Sequence, residues 1–497
     1  MCANKTVSKP AKTGLNAKKL GVFTLIMMTF AIIVSLRGLP SMAEYGLSSA
    51  FYFILVAIVF FIPVSLISAE LATGWPENGG IYLWVKEAFG QKWGFLAIWL
   101  QWIQNVVWYP TVLSFAAGAL AFVFMPALAS NPLFLIAVIL VVYWASTFAA
   151  FMGMKVSGIV TTVGAIIGTI IPGIVIIVLG ALWLFSGQQV QIDLTWDAFF
   201  PDMTNLANIV FAASILLYFA GMEVSAVHAH DVKNPATDYP KAIFATIILA
   251  LVIFILGTLS IAIVVPAQEM SLVAGVMEAF SVFFKAYDIA WMVPIFGIMI
   301  VAGVVAGVSA WIVGPSKGLL ATANEGTLPP FFQKVNKNGV ATNVMIIQGL
   351  IVTALSFVFV LLPSVNSSFW ILTALTAQLY LIMYVIMFAA AIKLRYSQPN
   401  TPRPYKLPGG NAGMWIVGGL GALAALCGIG LGFVPPAQLE SGGGLMYDGF
   451  LIVGILVLGG TSLLIYHFRK PSWLPKGATA KGQVAPPARA KKKVKKK

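Results

Sequence analysis

The sequence predicts an all-α integral membrane protein of twelve transmembrane helices, with helices 1 and 6 broken in mid-span. Three observations predict it. Of 497 residues, 60% are hydrophobic and only 9% are charged, too little charge for water to be the solvent around the whole surface. Apolar runs of about 20 residues, enough to cross about 30 Å of hydrocarbon, recur along the chain. The charges that remain are segregated. Lys86, Lys92, Lys155, Lys233, Lys241, Lys317, Lys334, Lys337, Lys393, Arg395, Arg403 and Lys406 fall in even-numbered connections or at their edges. Glu44, Asp193, Asp197, Asp202, Glu269, Glu278, Asp288, Glu440 and Asp448 fall in odd-numbered ones, with Lys285 the single basic exception. Basic residues stay on the cytoplasmic side, so both termini are expected there.

Taken in order, residues 1–19 read as a basic cytoplasmic leader. A twelve-helix membrane domain over 20–468 follows, with spans expected near 21–46, 48–72, 93–125, 132–152, 156–185, 205–230, 241–265, 290–323, 343–362, 368–394, 413–434 and 447–468. Spans 3, 5 and 8 are long enough to require tilt or extra turns. Span 1 is interrupted at Ile33-Val34-Ser35-Leu36-Arg37-Gly38-Leu39-Pro40, and span 6 at Tyr218-Phe219-Ala220-Gly221-Met222-Glu223. A bilayer tolerates broken backbone only where the freed N–H and C=O groups meet protein, water or a ligand. Breaks at matching places in two halves, about 20–185 and 205–394, point to an inverted repeat with a binding site between them. Helices 11 and 12 complete the domain.

Between spans 2 and 3, the turn around Gly79-Gly80 precedes an amphipathic decapeptide, residues 81–90, too short to cross and suited to the interface. The segment 326–339 is expected to be its counterpart in the second half. The Lys-, Pro- and Ala-rich tail, 469–497, cannot bury a core and is expected to be disordered, either a solvated tail that helps set topology or one drawn to anionic lipid headgroups. The net charge of +14 therefore describes a membrane surface and excludes a nucleic-acid partner. The first apolar stretch is too long for a cleavable signal. Cys2 and Cys427 stand at opposite ends of the chain, with no disulfide expected. No metal-spaced cluster, nucleotide loop or nucleophile–base array implies a cofactor or an enzyme.

Few residues at membrane depth can carry chemistry. Arg37 is the one basic residue inside the hydrocarbon. It must face a wet cavity or a partner, either Glu223 or Glu70 in an ion pair, or a substrate carboxylate that fits its bidentate fork. Glu223, two residues past Gly221, is positioned for a proton-sensing gate or for simple structural pairing. Trp311 in span 8 offers an indole to a substrate's methylenes, or to a neighbouring helix. Asn105 in span 3 needs a partner for its amide, and Tyr109, Tyr218 and Tyr380 are lesser candidates of the same kind. His228 and His230 read as helix-end residues.

At these residues the chain resembles the amino acid–polyamine–organocation (APC) superfamily of transporters, and within it the bacterial glutamate/GABA antiporter group. The matching segments are Ala69-Glu70-Leu71-Ala72 with Gly79-Gly80, Gly221-Met222-Glu223-Val224-Ser225-Ala226, Ala274-Gly275-Val276-Met277, and Ser309-Ala310-Trp311-Ile312-Val313-Gly314-Pro315-Ser316. The resemblance runs from about Lys19 to Tyr466. It implies a LeuT-like five-plus-five inverted-repeat fold in a bacterial cytoplasmic (inner) membrane. The substrate amino acid would be held by Val34, Ser35, Leu36 and Arg37 and by Tyr218, Phe219, Ala220 and Gly221, with Asn105 and Trp311 as further contacts and Glu223 as gate. The activity it implies is exchange of glutamate for GABA or a related amino acid. A proton-coupled symporter and a transport-dead nutrient sensor are the alternatives.

Overall fold

The computed structural model describes residues 21–76, 79–153, 163–201, 210–226, 234–436 and 444–475, and every regular element among them is helical. The leader, His228 and His230, and the Lys-rich tail from residue 476 lie outside the described residues. Among the described residues, ten helices are long and apolar enough to cross a bilayer: Ser48–Gly74, Gln91–Phe124, Pro132–Phe151, Val163–Phe185, Pro240–Ala262, Ala290–Asn324, Thr342–Leu361, Val365–Ser397, Gly410–Leu431 and Gly444–His467. They correspond to spans 2–5 and 7–12. Spans 1 and 6 are the broken pair, which makes twelve.

Span 1 runs as Val22–Ile33, passes through extended backbone at Val34 and Ser35, and resumes as a tight turn Leu36–Gly38 and a short helix Leu39–Ala43. Ser35 starts the second piece, its Oγ accepting the Arg37 N–H at 3.3 Å. A serine in extended conformation that bonds the backbone two residues on is a helix N-cap. Span 6 runs as Val210–Tyr218 and resumes as Met222–Ala226. Gly221 between them has φ +112°, a conformation open in practice to glycine alone.

The spans nest around span 3, which packs along both span 8 and span 10. One amide ties this frame together. Gln348 of span 9 accepts the Trp102 indole N–H of span 3 at 2.8 Å and donates to the Tyr143 hydroxyl of span 4 at 2.9 Å, and Ser316 of span 8 reaches the same amide oxygen at 3.4 Å. Spans 5 and 8 cross backbone against backbone, where a Cβ on Gly168 would lie 2.2 Å from the Gly303 nitrogen.

At the face carrying the even-numbered connections, Glu70 of span 2 meets Arg395 of span 10 at 2.6 and 2.5 Å, accepts the Leu407 N–H at 2.8 Å, and lies 3.4 Å from Arg403. This pairing also explains why span 10 reaches 33 residues, Val365–Ser397, beyond the expected 368–394. A neutralised arginine can stay buried inside the helix.

The amphipathic segment after span 2 is a helix, Ile81–Phe89, fastened to the end of span 8 by Lys86 to Glu325 at 2.6 Å and by the Tyr82 hydroxyl to the same carboxylate. Its counterpart is corrected. Segment 326–339 holds only the short turn Pro330–Gln333, whereas the connection between spans 7 and 8 carries an amphipathic helix, Gly275–Ala286. Counting from each broken span, that connection is the one that corresponds to the connection between spans 2 and 3.

Candidate functional site

The two breaks face a common cavity of about 60 Å³, with Ser35 and Arg37 of span 1, Asn105 and Trp108 of span 3, Tyr218 and Ala220 of span 6, Trp311 of span 8 and Tyr380 of span 10 on its wall. A concave space with a few convergent polar groups is the usual form of a small-molecule site.

Arg37 is 4% exposed. Its Nη1 donates to the Thr111 hydroxyl at 3.0 Å, and Thr111 passes its own proton to the Trp108 carbonyl at 2.8 Å. The guanidinium carbon lies 5.7 Å from the Tyr218 ring centre and 5.5 Å from that of Phe369, within cation–π range. The expected ion pair with Glu223 or Glu70 does not form, because both carboxylates are engaged elsewhere. Among the described residues no carboxylate lies within 4.0 Å of Arg37. Tyr218 is fixed by its hydroxyl, 2.8 Å from Ser41 Oγ, and by Gly38, where a Cβ would stand 2.5 Å from the tyrosine ring.

Asn105 is 1% exposed, and its Nδ2 donates both to the Tyr109 hydroxyl at 2.8 Å and to the Trp311 carbonyl at 3.1 Å. A carbonyl acceptor fixes which end of the amide is nitrogen. The Oδ1, which accepts no hydrogen bond among the described residues, is left for the cavity. Trp311 stands half-buried beside Trp108, with ring centres 6.0 Å apart, and its indole edge would lie 3.5 Å from a Cβ on Gly221.

Glu223 stands one side chain behind the wall. Its Oε1 accepts from Gln101 at 2.9 Å and from the cavity-lining Tyr380 at 2.5 Å, and its Oε2 accepts from Tyr384. The Tyr384 hydroxyl also accepts the Gly221 N–H at 2.8 Å, so a backbone group freed by the break is satisfied through the residue that holds Glu223. Four of the residues expected to hold a substrate are off the wall. Val34 and Leu36 are buried in the apolar core, Phe219 stacks on Phe61 with ring centres 4.5 Å apart, and Gly221 is engaged by Tyr384.

Sequence reasoning missed Thr111, Gln101 and Tyr384. Gln101, Gln104, Asn105, Trp108 and Thr111 follow helical spacing along one face of span 3, and Tyr380 and Tyr384 are four apart in span 10. Polar residues recurring at that spacing in an apolar span are the signal that could have found them.

Comparison with known proteins gives a consistent picture. The amino acid permease family profile matches residues 20–458. An uncharacterized transporter of Legionella pneumophila is 47% identical over 88% of this chain and 95% of its own length. A glutamate/gamma-aminobutyrate antiporter of Lactococcus lactis is 33% identical over 91% of each chain. A probable agmatine/putrescine antiporter of the same species is 25% identical over 79% of this chain and 83% of its own.

Proposed function

The chain belongs to the amino acid permease family, and from that premise we propose that it is an amino acid antiporter that works by alternating access and exchanges glutamate for GABA or a related amino acid. The observation that carries the choice of substrate is Arg37. A buried guanidinium that has, among the described residues, one partner hydroxyl and no carboxylate presents unused donors to the cavity, and a planar fork of that kind is matched by a carboxylate. The described wall carries no acidic side chain, which disfavours polycations of the kind named for the agmatine/putrescine relative.

In this reading Arg37 takes a carboxylate of the substrate, Asn105 Oδ1 accepts from its ammonium, and Trp311 covers the methylenes between them. Glu223 serves as the proton-sensing gate, acting on the cavity through Tyr380. The 33% identity to a glutamate/gamma-aminobutyrate antiporter supports the pair of substrates. The segregation of basic residues supports a bacterial cytoplasmic membrane location with both termini inside.

Purified protein in liposomes loaded with glutamate, GABA or agmatine tests this. Labelled glutamate uptake should accelerate with glutamate or GABA inside and not with agmatine. Uptake that follows a proton gradient and ignores the internal amino acid overturns exchange. Arg37→Lys, which keeps the charge and loses the fork, should raise the KM for glutamate about tenfold, about 1.4 kcal/mol, and that for GABA by less.

A further inference from the structure

Among the described residues, the other buried arginine is neutralised. Arg395, 3% exposed, receives both oxygens of Glu70 at 2.6 and 2.5 Å, and Arg403 shares that carboxylate at 3.4 Å. Arg37 is equally buried and differs in kind. Among the described residues its guanidinium has one hydrogen-bond acceptor, the neutral Thr111 hydroxyl, and it lies over the faces of Tyr218 and Phe369. Glu223, the other charged group at the breaks, has its oxygens engaged by Gln101, Tyr380 and Tyr384. Of the five N–H donors of a guanidinium, four remain for something the cavity holds.

We propose that Arg37 makes exchange obligatory: the substrate carboxylate is its counter-ion, and without one the carrier cannot readily close and reorient. The inference rests on the exchange function proposed above and adds its cause. In either open state water reaches the guanidinium through the cavity. To pass from one open state to the other the cavity must close and shed that water, and a charge stripped of water at membrane depth is costly. A bound amino acid brings the negative group that replaces the water, so loaded carriers cross in both directions while the empty one is held back. Thr111, Tyr218 and Phe369 come from spans 3, 6 and 10, so the charge sits where three spans converge on the break of span 1. The relation also fixes the charge moved. Glutamate with Arg37 carries none across, and GABA with Arg37 carries one positive charge.

The test measures release of labelled glutamate from liposomes containing the full chain, into buffer with and without external GABA. For the wild type, release without GABA should be at least about tenfold slower than with it. In Arg37→Met, affinity should fall and that ratio should drop below about twofold, because the empty carrier no longer holds a bare charge. A variant that still transports and keeps the wild-type ratio overturns the proposal.

Should Arg37→Met be silent, the wild type decides through voltage. GABA moves no net charge over a full release cycle, so a potential can change its release only through the step that limits it. With a lumen-negative potential of about 100 mV, release of labelled GABA into empty buffer should accelerate at least about twofold, as the bare guanidinium returns inward. Release indifferent to voltage overturns the proposal. A wild type whose release ignores external GABA would instead remove the exchange function itself, and this inference with it.

Discussion

At the scale of single residues, the cavity sorts its polar groups by whether they have finished bonding. Glu223 has three donors and is complete, whereas Arg37 and Asn105 each keep atoms in reserve. In the proposed function, gating falls to the first and recognition to the other two. Protonating Glu223 would turn one of its oxygens from acceptor to donor, and Tyr380 or Tyr384 would have to turn away. Glu223→Gln imposes the same mismatch permanently. Transport by that variant should therefore vary with pH much less than the wild type's, as measured by labelled exchange between pH 4 and pH 8. A variant profile that overlays the wild type's removes Glu223 from the gating role. Asn105 and Arg37 were legible in the sequence because an amide and a guanidinium have no ordinary place in an apolar span. Thr111 was not legible. A threonine that bonds the carbonyl three residues back, as Thr111 does to Trp108, is common in membrane helices, so nothing in its type marks it as the seat of an arginine.

At the scale of elements, both breaks were legible, since Ser35, Gly38, Pro40 and Gly221 are residues that interrupt a helix for known reasons. Which backbone groups the breaks would free, and which partner would take them, was not. The Gly221 N–H is met by Tyr384, more than 160 residues away along the chain. Gly221→Ala separates space from conformation. The new Cβ would lie 3.5 Å from Trp311, an ordinary contact, but φ +112° is closed to alanine. The cost is thus one of backbone, about 1–3 kcal/mol, and must be relieved by rotating the break. Substrate affinity in that variant should fall by about tenfold or more, and thermal stability in detergent should fall modestly from the same backbone cost. An affinity equal to the wild type's would show that the break does not shape the cavity.

At the scale of the whole molecule, the count of twelve spans and their order were legible from apolar length and charge segregation, which each span carries in itself. Pairings between spans were not. Glu70 and Arg395 stand 325 positions apart, and no local pattern joins them, so the sequence left Glu70 open as a partner for Arg37. The buried cluster makes a clear prediction. Glu70→Gln leaves two arginines with no carboxylate and should destabilise the fold by about 3–5 kcal/mol. The double replacement Glu70→Met with Arg395→Met removes charge of both signs and should recover a good part of that loss. Thermal unfolding of the purified variants measures both. A double variant as unstable as the single one would mean that packing, rather than charge, holds this corner together.

The Gln348 amide has a consequence for motion. Helices 3, 4, 8 and 9 all touch one side chain, so they share a fixed origin against which displacement can be measured. Spin labels placed on any two of them should report a single separation whether or not amino acid is present. Labels placed between this quartet and either interrupted helix should report two.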